Sequence, residues 1–193
     1  MRAIVALGNP GPRYATTRHN AGFLLADVLA EQWGLPRFRR SGRSVAARGT
    51  RGDTALVLLK PQTYMNRSGE AVRELLTAVP LDPATDVLVL VDDVALPLGS
   101  FRLRARGSAG GHNGLRSVED AIGSGDYARL RIGIGPVPAG VDDHADFVLA
   151  DFARDELAVL ADELPDLVDA VDCWLTDGIE RAMNRFNRRG STE

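Results

Sequence analysis

The stretch Leu7-Gly-Asn-Pro-Gly-Pro-Arg-Tyr-Ala-Thr-Thr-Arg-His-Asn20 decides how this chain is read. The apolar run before it, Ala3 to Leu7, has the length and composition of a buried strand. Gly8, Pro10, Gly11 and Pro12 then break regular structure, and a helical pattern begins near Asn20. Strand, stiff loop and helix in that order open an α/β sheet. The loop belongs at the carboxyl edge of the sheet, where ligands of such folds usually bind. It presents Asn9, Tyr14, Arg18, His19 and Asn20 there.

The rest of the chain extends this pattern. A helix is expected over Ala21 to Trp33, closed by Gly34 and Pro36. Arg37 to Arg43 is a basic connector, read as a solvated loop or a phosphate contact. Strands over Val45–Arg48 and Thr54–Lys60, parted by Gly49 to Asp53, make a hairpin. A second loop, Pro61 to Gly69, leads into a helix ending near Ala78. Val87 to Val91 is apolar throughout, as in a strand buried on both faces, and it ends in Asp92-Asp93. Ser100 to Arg104 alternates as a strand, with Phe101 and Leu103 on one side. Gly107 to Gly114 is a third loop, opening a helix to Ile122, and Ala128 to Ile134 is a further strand. A short helix is expected over Asp143 to Ala150. A longer one follows over Leu157 to Leu175, with Leu157, Leu160, Leu164, Leu167 and Val171 inward and Pro165 as a kink or restart. Gly178 to Arg189 is the last helix. The expected fold is one α/β domain over residues 1–193, with a twisted, mixed but mostly parallel sheet flanked by helices on both faces.

Hydrophobic residues make up 45% of the 193, enough for a real core. No apolar run reaches a membrane-spanning length, and the opening segment is too quickly broken for a signal peptide. Cys173 is the one cysteine, so no internal disulfide can form and a cytoplasmic location is expected. The net charge of −3 hides an asymmetry. Residues 1–116 carry 16 Lys+Arg against 9 Asp+Glu, a net +7, while residues 117–193 carry 7 against 17, a net −10. A local basic face, rather than the total, decides whether a polyanion binds.

His19 is the best candidate base, because an imidazole can take and return a proton near neutral pH. A base needs an orienting carboxylate. Asp92 and Asp93 both end the buried strand at the same sheet edge, and strand alternation sends them to opposite sides. His112 could bind substrate or cap a helix, and His144 reads as a solvated residue at a helix start. There is no nucleophile elbow, no Cys/His metal spacing and no P-loop. Water activated by His19 remains. Asn9, Asn66 and Asn113, from three strand-to-helix loops, could stabilise an oxyanion. This set suits hydrolysis of an activated acyl group.

Gly8-Asn-Pro-Gly11, Tyr14, Thr17-Arg-His-Asn-Ala-Gly22, Lys60-Pro61, Tyr64-Met-Asn66, Ser68-Gly69, Gly110-Gly-His-Asn-Gly-Leu115 and Arg129-Leu-Arg-Ile-Gly-Ile-Gly135 occur in that order. Together they closely resemble the bacterial-type peptidyl-tRNA hydrolase family. The resemblance implies hydrolysis of the ester between a peptide and the 3′ ribose of tRNA. It implies His19 as base, Asp92 rather than Asp93 as its orienting partner, and Asn9 as the residue that senses a blocked amino group. Tyr14, Tyr64, Met65, Asn66 and Asn113 correspond to the cleft for the peptide and the 3′ end. Arg104 and Arg131 correspond to basic positions that grip the 5′ phosphate. Residues 140–150 correspond to a lid. The resemblance further implies no metal or cofactor, peptidyl-tRNA as partner, no membrane association and a monomer. Around the aspartate the family usually reads His-Asp-Asp-Leu-Asp-Leu-Pro, where this chain has Val91-Asp-Asp-Val-Ala-Leu-Pro97. Val91 and Ala95 therefore take polar groups away from the loop that carries Asp92.

A second reading, from another class, is a non-catalytic RNA-binding protein on the same fold. The joint presence of His19, Asp92, Asn9 and Asn113 favours the enzyme. A third, a small-ester hydrolase, would not need Arg104 and Arg131.

Overall fold

A computed structural model of the chain describes residues 1–138, 140 and 144–187. Its elements are β1 (Arg2–Ala6), α1 (Ala21–Gln32), β2 (Arg39–Ser41), β3 (Ser44–Arg51), β4 (Thr54–Pro61), α2 (Ser68–Ala78), α3 (Pro83–Asp86), β5 (Val87–Pro97), β6 (Phe101–Arg104), α4 (Asn113–Ile122), β7 (Ala128–Gly135), α5 (His144–Leu149), α6 (Arg154–Asp177) and α7 (Ile179–Phe186). The strands form one sheet in the order β2-β3-β4-β1-β5-β7-β6. The central four, β4, β1, β5 and β7, run parallel. β2 and β3 on one side, and β6 on the other, are antiparallel additions.

Alternation along the apolar strands explains the layers, because successive side chains of a strand face opposite sides. Ile4, Ala6, Leu56, Leu58, Leu88 and Leu90 pack with Leu25 and Leu29 of α1, Leu167 and Val171 of α6 and Phe186 of α7. Their neighbours Ala3, Val5, Val57, Leu59, Val87 and Val89 pack on the other face with Val72 and Leu75 of α2 and Leu115 and Val118 of α4. Trp174 is almost wholly buried, as a core aromatic should be.

Several sequence expectations change. The basic connector is not wholly a loop: Arg39–Ser41 pairs antiparallel with β3 as an edge strand. Gly49 to Arg51 belong to β3, which is eight residues long, so the turn shrinks to Gly52-Asp53. Gly52 supplies the positive φ of 55° which that turn needs. Pro165 does not divide α6, which runs for 24 residues through it. The apolar stripe on either side, from Leu160 to Leu175, holds the helix down. Leu157, expected inward, is 37% exposed in the first turn of that helix. The last helix ends at Phe186, and residues 188 and 189 of the expected one lie outside the described residues.

Two glycines set the separation of layers near the sheet edge. A side chain on Gly22 would meet the carbonyl oxygens of Leu7 and Leu90 at 2.7 Å, so α1 starts flush against the sheet. A side chain on Gly69 would overlap the Ser117 carbonyl, where α2 crosses α4. Gly69→Ala is expected to destabilise the fold by about 2 kcal/mol, as overpacking does; urea denaturation measures it.

Candidate active site

Three strand ends and the start of α4 converge on one cavity of about 510 Å³. Its lining includes Asn9, His19, Tyr64, Met65, Asn66, Asp92, Asp93, His112, Asn113 and Arg131, together with His144, Ala145, Val148 and Leu149 of α5. Asp92 lies in its wall and is only 3% exposed. Nδ1 of His19 lies 2.9 Å from both carboxylate oxygens, and Nε2 of His112 lies 3.0 Å from Oδ1. The two rings are tilted, with centroids 5.0 Å apart.

The hydrogen-bond network assigns the tautomers. Nδ1 of His112 accepts the backbone N–H groups of Gly114 and Leu115, at 3.1 and 3.2 Å, and so caps α4. Its proton is therefore on Nε2 and is donated to Asp92. His19 donates Nδ1–H to the same carboxylate, which leaves its Nε2 to accept a proton. Burial alone would raise the pKa of Asp92, but the interactions with His112 and His19 outweigh it. The carboxyl group is held well below the usual carboxylate range.

His19, Asp92 and His112 are also the one trio among the described residues with spacing suited to a metal ion. Their hydrogen bonds fit that role poorly. A metal-bound histidine normally donates its other N–H, whereas the far nitrogen of His112 accepts two. The trio is built as a carboxylate between two imidazoles.

Asn9 is fixed from both sides. Its Oδ1 accepts the Met65 N–H at 2.8 Å, its backbone N–H donates to Asn20 Oδ1 at 2.8 Å, and Nδ2 of Asn20 donates to its carbonyl at 3.0 Å. The amide group left to the cavity is the Asn9 Nδ2 donor. The N–H groups of Gly114 and Leu115 are taken by His112, and the side-chain amides on the cavity wall are those of Asn9, Asn66 and Asn113.

Asp92 and Asp93 have different partners, as strand alternation requires, yet both line the cavity. Asp93 lies 3.0 Å from Nε of Arg131 and accepts the Ala95 N–H at 2.9 Å. Arg131 is thus part of the cleft wall. Arg104 is exposed on the edge strand and does not line the cavity. Tyr14 does not line it either, whereas Tyr64 does and is 60% exposed. Val91 is wholly buried in the apolar core and Ala95 is exposed. The support of Asp92 and Asp93 therefore comes from His19, His112, Arg131 and the backbone N–H of Ala95, not from the side chains at those two positions.

Sequence reasoning missed the place of His112 beside Asp92, of Asn20 as the brace of Asn9, and of His144 on the cavity wall. The Gly-Gly-His-Asn-Gly context marked His112 as a helix start; nothing local marked its partner 20 residues away. Arg129 is nearly wholly buried and is structural. It donates to the carbonyls of Ser108 and Gly125 and lies over the Tyr127 ring at 4.1 Å.

The peptidyl-tRNA hydrolase family model matches residues 3–193 of this chain. The chain belongs to the peptidyl-tRNA hydrolase family. A peptidyl-tRNA hydrolase of Synechococcus sp. (strain JA-3-3Ab) is 53% identical, covering 97% of this chain and 83% of the relative. One of Gemmatimonas aurantiaca is 46% identical over 97% of this chain and all of the relative. The crystal structure of peptidyl-tRNA hydrolase from Acinetobacter baumannii superposes with a TM-score of 0.89 at 33% identity, covering 97% of this chain and 94% of the other. The family fold is therefore the one described, a mixed seven-stranded sheet with a parallel centre. No described helix is long and apolar enough to cross a membrane.

Replacing His112 with Phe removes one of the two groups that hold the Asp92 carboxyl low. Its pKa is expected to rise toward the ordinary carboxylate range, which carbon-13 NMR of labelled aspartate would follow. Asp92 contributes stability above its unfolded pKa, and this is lost as pH falls through the folded one. The variant should therefore lose that contribution at a higher pH than the parent.

Proposed function

We propose that this cleft hydrolyses the ester joining a peptide to the 3′ ribose of tRNA, with His19 as general base. The observation that carries the reading is the His19–Asp92 pair facing three carboxamides in one cavity, in a chain of this family. Nε2 of His19 takes a proton from water as its oxygen attacks the ester carbonyl. The imidazolium that forms is stabilised by Asp92. The carbonyl oxygen becomes an oxyanion, which Asn9 Nδ2 and Asn113 can meet with N–H donors. Collapse breaks the bond to the ribose oxygen, and His19 returns the proton to it. The products are a peptide carboxylate and a tRNA with a free 3′-terminal hydroxyl.

Tyr64, Met65 and Asn66 form the wall along which peptide and 3′ end lie. Tyr14 stands outside the cavity and can serve only beyond its rim. Arg104 and Arg131 bind phosphate. Arg131 is oriented by Asp93, while Arg104 has no ion pair among the described residues and is free for a polyanion. α5 forms part of the lid expected over residues 140–150, of which 141–143 lie outside the described residues. The enzyme works as a monomer, in the cytoplasm, and without a metal or cofactor. No observation favours the non-catalytic RNA-binding reading, since its expected loss of a site residue has not occurred.

Purified protein is expected to release N-acetyl-aminoacyl groups from tRNA in EDTA, and His19→Ala to slow this by about 10³-fold, as removal of a general base does. No release by the parent, with tRNA still bound, would overturn the proposal. KM is expected to rise steeply with salt, because phosphate contacts release counterions. Arg104→Ala should raise KM while kcat stays nearly constant, the mark of lost uniform binding. An unchanged KM would remove Arg104 from the phosphate site.

A further inference from the structure

Arg18 precedes His19 in the short 3-10 turn Arg18–Asn20, yet its side chain leaves the cavity. It runs under the end of α5. Its guanidinium Nη1 points at the carbonyls of Asp151 at 3.1 Å, Ala150 at 3.3 Å and Phe147 at 3.5 Å. Nη2 pairs with Glu156 of α6 at 2.6 Å, and the group stacks over the rings of Phe147 at 4.6 Å and Phe152 at 5.7 Å. The side chain is only 11% exposed. The backbone reinforces the junction: Arg18 N–H donates to Ala150 O at 3.1 Å, Phe152 N–H to Thr16 O at 3.0 Å, and Thr16 Oγ1 to Asp151 at 2.8 Å.

A partly buried cation with one carboxylate and three carbonyls is a strong anchor, because each hydrogen bond is charge-assisted. Arginine suits it, since its planar fork serves several acceptors at once where lysine offers a point charge. What it anchors is the helix that supplies His144, Ala145, Val148 and Leu149 to the cavity wall. What it is joined to by one peptide bond is His19. We infer that Arg18, held by Glu156, is a positioning residue that fixes α5 over the cleft in register with His19. The inference rests on the cleft being the hydrolytic site. Arg18 itself touches neither the His19–Asp92 pair nor the cavity.

Arg18→Lys and Glu156→Gln, with the double variant, test it on the full chain. Each single variant is expected to lower kcat/KM for N-acetyl-aminoacyl-tRNA by about ten-fold, the scale of a small misplacement away from the chemistry. The double variant should lose no more than that, because both act through one anchor. Amide exchange should accelerate in α5 and at residues 150–152, while β1 and β5 keep their protection. The pH dependence of kcat should be unchanged, since His19 and Asp92 keep their bonds. Full activity in both single variants would overturn the inference. So would loss of protection across the whole sheet, which marks general destabilisation, or a shifted pH profile, which marks a direct effect on His19. An inactive parent with faster α5 exchange in the variants would uphold the anchor and reject only the hydrolytic reading of the cleft.

Discussion

The buried carboxylate of Asp92, shared by two imidazoles, is the constraint around which the functional end of this sheet is arranged. An isolated carboxylate at that depth would be costly, and the two ring N–H groups that offset the cost come from two different loops. His19 arrives from the loop after β1, and His112 from the loop before α4. Because His112 spends its other nitrogen on the first amides of α4, the carboxylate, the ring and the helix start form one continuous chain of hydrogen bonds. The position of α4 and the ionisation of Asp92 are thus set by the same ring.

The loops around this centre brace one another in the same way. Asn20, one residue after His19, clamps the backbone of Asn9. Asn9 in turn holds the Met65 amide through its carboxamide oxygen and keeps its amino group for the cavity. A side chain on Gly114 would strike the Met65 sulfur at 2.5 Å, so the start of α4 closes on the second loop with no slack. Asn9, which faces the cavity, is thus fixed by Asn20, which does not line it.

Much of this could be read from the residues. Gly and Pro broke the chain at each loop, and the apolar runs Ala3–Leu7 and Val87–Val91 marked the two central strands. Loops after parallel strands share an edge, which is enough to place His19, Asn66 and Asp92 together. What escaped was of two kinds. The edge strand Arg39–Ser41 has no apolar alternation to announce it, since its pairing partner lies on one side only and its side chains face water. The roles of His112, His144 and Arg18 depend on how far a loop travels in space, and neither propensity nor periodicity encodes that. The substitutions at Val91 and Ala95 looked like lost polar support, but burial places one in the core and the other in solvent.

The place of β1 in the sheet has a consequence for how the molecule comes into being. β1 is first in the chain yet lies between β4 and β5, with Val5 opposite Leu59 and Ala6 opposite Leu90. Both of its strand pairings are distant in sequence, an arrangement that slows folding. During synthesis this strand has no sheet partner until β4 has been made and is open on its other side until the segment through Leu90 follows, and the cavity stays incomplete until α4 is added. A nascent copy therefore has no active site for the first half of its own translation.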